Sequence, residues 1–281
     1  MIHKDGDFAG HGGLRLYWQA WLPEGEVRAV LLLAHGYAEH SGRYGNLVEA
    51  MVARGFAIYA LDHRGHGRSE GPRGHVGRFA EFIADLHALR VRAEEGQRGK
   101  PLVVLGHSMG GLIAIRYVLN HASGLAGAVL SSPALRILNE PPRALQWVAR
   151  ILSWIAPRTS FQSNVEPEFL SRDPAVGRAY ADDPLVHRRA SARFFTEFKW
   201  AIRNADERAA EIVLPILVLQ AGDDRLVDAR ATGSFVQKLG SERKELRLYA
   251  GFFHEIFNEP EKDRVFVDLE HWLEARVAAI G

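Results

Sequence analysis

Cysteine is absent from the 281 residues, so no disulfide, thiolate metal site or cysteine nucleophile is open to this chain. A reducing compartment fits that absence, and an oxidising one does too. An excess of either charge is also lacking: 35 basic against 34 acidic residues leave a formal net charge of +1. That balance gives no electrostatic argument for nucleic acid or for an anionic membrane surface as partner. No apolar run is long enough to span a bilayer. The opening Met1-Ile2-His3-Lys4-Asp5-Gly6-Asp7 is polar and has no apolar signal stretch. The expected location is the cytoplasm, with peripheral membrane contact left open. Repeats and low-complexity linkers are missing as well. What remains is an ordinary globular composition, 47% hydrophobic and 25% charged, enough for one large domain or a domain with an insertion.

Short apolar runs alternate with longer helical patterns. Strand-like runs fall at 29–34, 56–61, 102–105, 127–131, 216–220 and 245–249, and most lack a polar alternate face. Strands buried on both faces of a parallel sheet read this way. Helical spacing occupies 44–54, 78–95, 109–121, 229–239 and 261–277. The alternation predicts an α/β fold with a mostly parallel sheet flanked by helices. Functional residues in such folds follow the carboxyl ends of the strands.

The alternation breaks over 134–205, too long a stretch for a plain crossover. It holds a very apolar helix candidate at 144–155, loop segments with Pro157, Pro167, Pro174 and Pro184, and a second helix candidate at 188–203. It reads as a cap inserted into a core made of 1–133 and 206–281. Leu145, Val148, Ile151, Leu152 and Ile155 give the first helix one apolar face, which Trp147 and Trp154 widen. That face fits packing on the domain below, a wall for an acyl chain, or contact with a lipid surface.

After the run 102–105 comes Gly106-His107-Ser108-Met109-Gly110-Gly111, a G-x-S-x-G elbow between strand and helix. Glycine is needed where a Cβ would clash in the sharp turn that presents the Ser108 hydroxyl. Serine is a weak nucleophile at neutral pH and needs a base. His254 sits in Gly251-Phe252-Phe253-His254-Glu255, just after the final strand-like run. His187 and His271 compete poorly, one in the insertion and the other in the terminal helix. An acid is expected in Gly222-Asp223-Asp224-Arg225-Leu226-Val227-Asp228, where spacing alone leaves three aspartates open and Asp228 also suits a helix N-cap. The amides of Tyr37, after the strand 29–34, and of Met109, after the nucleophile, are placed to bind an oxyanion.

Five segments carry a likeness that extends over nearly the whole chain. They are His35-Gly36-Tyr37-Ala38-Glu39-His40-Ser41-Gly42-Arg43-Tyr44, Asp62-His63-Arg64-Gly65-His66-Gly67-Arg68-Ser69-Glu70-Gly71, the Ser108 elbow, Gly222-Asp223-Asp224-Arg225-Leu226 and Gly251-Phe252-Phe253-His254. The insertion adds Ser171-Arg172-Asp173-Pro174 and Tyr180-Ala181-Asp182-Asp183-Pro184-Leu185. With these segments the sequence resembles the monoacylglycerol lipase family of α/β-hydrolases, which includes bacterial enzymes called lysophospholipases. The resemblance implies a largely helical cap after the sixth strand, Asp224 as the acid partner of His254, and hydrolysis of monoacylglycerol through an acyl-enzyme on Ser108. It also implies a polar pocket for the glycerol end, built on Glu39, Arg43, His107 and Tyr180.

Tyr37 departs from the family in being large where relatives often carry a smaller residue, and its ring is expected to narrow the pocket. The cysteines that mammalian members carry near the site have no counterpart here. The alternatives are a lysophospholipase or broad carboxylesterase, and, from another class, a small-molecule receptor on the same fold. No cofactor and no metal are expected. His35, His40, His63, His66 and His75 cluster in Gly-rich loops without paired-ligand spacing, and Asp62 and His63 read as loop braces. The expected partner is a small lipid ester, with transient contact to a lipid surface through the cap.

Overall fold

The computed structural model describes residues 1–163 and 165–278. Residue 164, inside the expected insertion, and residues 279–281, at the end of the expected core, lie outside the described residues. Eight strands form one sheet: β1 (Ile2–Ala9), β2 (Arg15–Leu22), β3 (Ala29–Ala34), β4 (Phe56–Leu61), β5 (Leu102–His107), β6 (Gly127–Ser131), β9 (Ile216–Ala221) and β10 (Lys244–Tyr249). Their order across the sheet is β1-β2-β4-β3-β5-β6-β9-β10. Only the pairings β1 with β2 and β2 with β4 are antiparallel; the other five are parallel.

Every residue of β3, β4, β5, β6 and β9 is buried, as their unbroken apolar runs predict. Helices α2 (Ala80–Gly96), α3 (Met109–His121) and α7 (Ala229–Lys238) pack on one face, and α1 (Gly45–Val52) and α8 (Asp263–Val277) on the other. After β3 the chain turns to β4 on one side, and β5 then lies on its other side. The carboxyl ends of β3 and β5 are therefore adjacent at a switch in strand order, with Ala34 paired to Gly106.

The β1–β2 hairpin has no counterpart among the runs read from the sequence. β1 is an edge strand with mostly exposed, polar residues, so it carries no apolar run to detect. The opposite edge, β10, departs from the pattern for the same reason: Leu246 and Leu248 are exposed.

Between β6 and β9 lie α4 (Arg143–Ile155), β7 (Ser160–Gln162), α5 (Pro174–Asp182), β8 (Arg189–Ser191) and α6 (Ala192–Glu207). Two details correct the sequence reading. The segment around Pro174, expected as loop, is helix α5: Pro174 occupies its first turn and the Asp173 carboxylate caps it by accepting from the Ala175 amide at 2.9 Å. The second helix begins at Ala192 rather than 188, because β8 precedes it and the Ser191 hydroxyl caps it.

Helices α4 and α6 pack together, and the Ser153 and Thr196 hydroxyls hydrogen-bond at 2.8 Å. Ala149 and Ser153 are the buried residues of α4, while Leu145, Trp147, Val148, Ile151, Trp154 and Ile155 are exposed. Packing on the domain below therefore does not account for most of that apolar face. Among the described residues, no helix is long and apolar enough to cross a membrane.

Candidate active site

Ser108 joins β5 to α3 with φ 53° and ψ −117°, a left-handed conformation that L-residues rarely adopt. Its neighbours make the turn feasible. A Cβ on Gly106 would lie 2.1 Å from the Gly110 carbonyl oxygen, and one on Gly110 would lie 2.0 Å from that of Ala34. The backbone of Ser108 is held on both sides: its N–H donates to Ser131 O at 2.9 Å, and its C=O accepts from the Ala134 amide at 2.9 Å. Ser108 is partly accessible within an otherwise buried segment.

His254 lies in the loop after β10, and Asp224 in the loop after β9. The imidazole Nδ1 donates to Asp224 Oδ2 at 2.7 Å. The other oxygen of Asp224 accepts the amides of Leu226 and Val227 at 2.9 and 3.0 Å, so the carboxylate has one orientation. The other two aspartates are placed differently. Asp223 is exposed, and Asp228 caps α7 by accepting the Arg230 amide at 2.9 Å. Burial penalises a charge on His254, but the field and hydrogen bond of Asp224, aided by Glu255 and Glu39, outweigh it and raise the imidazole pKa. Ser108 and His254 line the same cavity, of about 680 Å³.

Tyr37 and Met109 line that cavity too. Among the described residues, neither amide donates to a protein acceptor. The Met109 N–H is one of the free donors at the start of α3. The Tyr37 ring stacks on Phe194 at 5.0 Å, and its hydroxyl donates to the Arg189 carbonyl. The side chain thus ties the loop after β3 to the start of α6 as well as facing the cavity.

The four residues named for a glycerol pocket gather around this point in unequal roles. Glu39, His107 and Tyr180 line the cavity, whereas Arg43 stands behind its wall. Arg43 Nε donates to Glu39 Oε2 at 3.1 Å, Nη2 donates to both oxygens of Glu255 at 2.8 and 2.9 Å, and the guanidinium lies 4.9 Å from the Tyr180 ring centre. Glu39 Oε1 accepts from the Gly36 amide and from the Tyr44 hydroxyl, both at 2.6 Å. Burial and the nearby Glu255 push the Glu39 carboxyl above its ordinary range.

His107 is held by Ser131 Oγ at 3.0 Å, with its ring 4.8 Å from that of His254. Burial, then the His254 and Arg43 charges, hold His107 well below the usual histidine range, so it stays neutral. The Tyr180 hydroxyl is buried without a hydrogen-bond partner among the described residues. Glu255 adjoins His254 but carries no sequence signal of its own, because a carboxylate beside a base has no motif. It lines the cavity.

The rest of the cavity is mostly apolar, with Asn139, Glu140, Gln162, Ser163 and Lys199 as the polar exceptions. Leu145, Phe161, Leu170, Phe194, Phe195 and Phe198 form its walls, so the pocket has a polar end near His254 and a long greasy side. Of the clustered histidines, His35, His63 and His66 pack together and with His187, whereas His40 bonds to Asp183 and His75 to Ser191. His35 and His63 rings are 4.2 Å apart, and His66 and His187 rings 4.7 Å. Burial depresses His35 to about 4 and holds His63 and His66 well below the usual range. Asp62 braces the neighbouring loops, accepting the amides of Ser41 and Arg68 at 2.9 and 2.8 Å.

A mostly parallel sheet that presents a serine on a strained strand-to-helix turn, with a histidine–aspartate pair on later loops, defines an α/β-hydrolase. Comparison with known proteins narrows the class: the profile of the Hydrolase_4 family, described as serine aminopeptidase, S33, matches residues 25–261, and the chain belongs to that family. A monoacylglycerol lipase of Mycolicibacterium smegmatis is 38% identical over 267 residues, covering 95% of each chain. Phospholipase YtpA of Bacillus subtilis is 35% identical over 240 residues, covering 85% of this chain and 92% of its own. The crystal structure of the Paleococcus ferrophilus monoacylglycerol lipase superposes with a TM-score of 0.82 at 31% identity, covering 98% of this chain and 100% of its own.

Proposed function

We propose that the protein is a carboxylic ester hydrolase that releases a fatty acid from monoacylglycerol. One observation carries the reading. The elbow serine and the His254–Asp224 pair open onto a single cavity that is polar where the leaving alcohol would sit and mostly apolar beyond it. The relatives named above support the substrate class.

In this mechanism His254 takes the Ser108 proton as Ser108 Oγ attacks the ester carbonyl carbon. The Tyr37 and Met109 amides stabilise the resulting oxyanion, an effect worth about 3–4 kcal/mol per donor. Asp224 holds the imidazole tautomer and stabilises the imidazolium. The C–O bond to glycerol then breaks, and His254 protonates the departing oxygen. Water, deprotonated by His254, attacks the acyl-enzyme and returns Ser108 with the free fatty acid. Glu39, His107 and Tyr180 recognise the glycerol hydroxyls, with Arg43 supporting them from behind. No cofactor enters these steps.

The 134–205 insertion is read as the cap over the acyl channel. Its exposed α4 face adsorbs transiently to lipid surfaces, which makes the protein peripheral rather than membrane-spanning.

A lysophospholipase is the second reading, favoured by the likeness to Phospholipase YtpA. Hydrolysis rates on monoacylglycerol, lysophosphatidylcholine and p-nitrophenyl esters of graded length separate the two. Monoacylglycerol is expected to have the highest kcat/KM, and a preference for the choline head group would overturn the choice.

A further inference from the structure

Two buried loops meet at one ion pair. Arg43 belongs to the loop that follows β3, and Glu255 is the residue after His254. Arg43 Nη2 reaches both Glu255 oxygens, at 2.8 and 2.9 Å, and the two side chains are only 8% and 7% exposed. The pair is one link of a longer chain of bonds. The Gly36 amide, next to Tyr37, donates to Glu39 Oε1; Glu39 Oε2 accepts from Arg43; Arg43 grips Glu255; Glu255 is covalently joined to His254. Glu255 is fixed from other sides as well. Asn258 Nδ2 donates to its Oε2 at 2.8 Å, Asn46 holds Asn258 at 2.9 Å, and the Glu255 amide donates to Leu170 O at 2.7 Å. Taking two charges out of water is costly unless the geometry is good and further bonds are made; here both Glu255 oxygens and the Arg43 Nε and Nη2 are bonded.

We propose that Arg43 and Glu255 are positioning residues: their ion pair is the strut that holds the His254 imidazole and the Tyr37 amide in a fixed relation across the Ser108 hydroxyl. The proposal rests on the hydrolase reading above and assigns Arg43 a task besides support of an alcohol pocket. A general base and an oxyanion donor come from loops far apart in sequence, with Tyr37 and His254 217 positions apart. Small errors in their relative placement weaken the transition state more than the ground state. The Glu255 carboxylate also adds to the field that keeps His254 basic.

The test is a double-mutant cycle with Glu255→Gln, Arg43→Met and the double variant, with active sites counted by fluorophosphonate titration. Glu255→Gln is expected to lower kcat by roughly ten- to a hundredfold on both p-nitrophenyl acetate and monoacylglycerol, with KM little changed. The acid limb of its kcat/KM profile moves to lower pH, because His254 loses a carboxylate that favours its protonated form. The double variant should be no slower than the slower single one, since either change breaks the same strut. Where Arg43→Met does not fold, Arg43→Lys keeps the charge but not the separate nitrogens that hold Glu39 and Glu255, and its loss must shrink once residue 255 is glutamine. Losses confined to KM for glyceryl esters, or losses that multiply in the double variant, overturn the strut. A wild-type protein that turns over neither ester defeats the hydrolase reading instead.

Discussion

The carboxyl end of the sheet and helix α4 spend their side chains in opposite ways. At the sheet end Glu39, Arg43, Asp224, His254 and Glu255 are almost fully buried, and each is held by at least one partner. On α4, Trp147 is 64% exposed, Trp154 85% and Ile155 75%, with no core beneath them. Burying charge demands partners in fixed places, which is what acid–base chemistry requires. Leaving tryptophan in water has no such structural return, and large exposed apolar patches mark surfaces that meet something else. The contrast separates a rigid site, where one atom decides the rate, from a surface, where several side chains share one task.

The largest effect should come from the rigid end. Asp224→Asn is expected to lower kcat by about 10⁴-fold, as the analogous change does in other triads, with little change in thermal stability. Asp223→Asn should leave kcat within about twofold, since Asp223 is exposed and its side chain is not the one bound to His254. Steady-state rates of the two variants on one ester decide between them. A reversed order would move the acid to the neighbouring aspartate.

A smaller effect tests the wall between the two regions. Phe198 on α6 is 9% exposed and lines the cavity. Phe198→Ala should destabilise the protein by about 3 kcal/mol in chemical denaturation, whereas Trp154→Ala should cost less than about 0.5 kcal/mol. Equal costs would erase the distinction between α4 and α6. The same Trp154→Ala protein should bind lipid vesicles more weakly while hydrolysing p-nitrophenyl acetate at the normal rate. Unchanged vesicle binding would remove the surface role.

Acid reads the site and its surroundings at once. His254 must be neutral to accept a proton, and its pKa is raised, so the acid limb of kcat/KM lies above the ordinary histidine position. Below it the rate should fall about tenfold per pH unit. His35 and His187 show the opposite shift, burial taking each to about 4. The unfolded chain therefore binds their protons more readily than the folded one. The stability they contribute is complete above about pH 6.5 and is lost as pH falls toward 4. Melting temperatures across that window should decline, and less steeply in His187→Gln.

Much of this was legible in the residues because the chemistry leaves local marks. Gly106 and Gly110 flank Ser108 at a strand end, and the sites where their missing Cβ atoms would collide are in the backbone itself. The central strands were legible because burial on both faces demands unbroken apolar runs. The edges were not. β1 pairs on one side only and needs no apolar run. Asp173-Pro174 is a helix start that proline-rich surroundings disguise, and the Ser191 cap is masked by the short strand β8 that leads into it. The choice among Asp223, Asp224 and Asp228 rested on family likeness, because three carboxylates in six residues differ only in where their side chains point. Glu255 was invisible for a related reason: its partner Arg43 lies 212 positions away.

Intact-protein mass spectrometry of acid-quenched mixtures during turnover of a long-chain monoacylglycerol reads the central claim directly. The account predicts a mass increase of one acyl group, mapping to the peptide that contains Ser108, growing when deacylation is slowed and absent in Ser108→Ala. Brisk release of fatty acid by Ser108→Ala, or an acyl group mapped to any other residue, would contradict it.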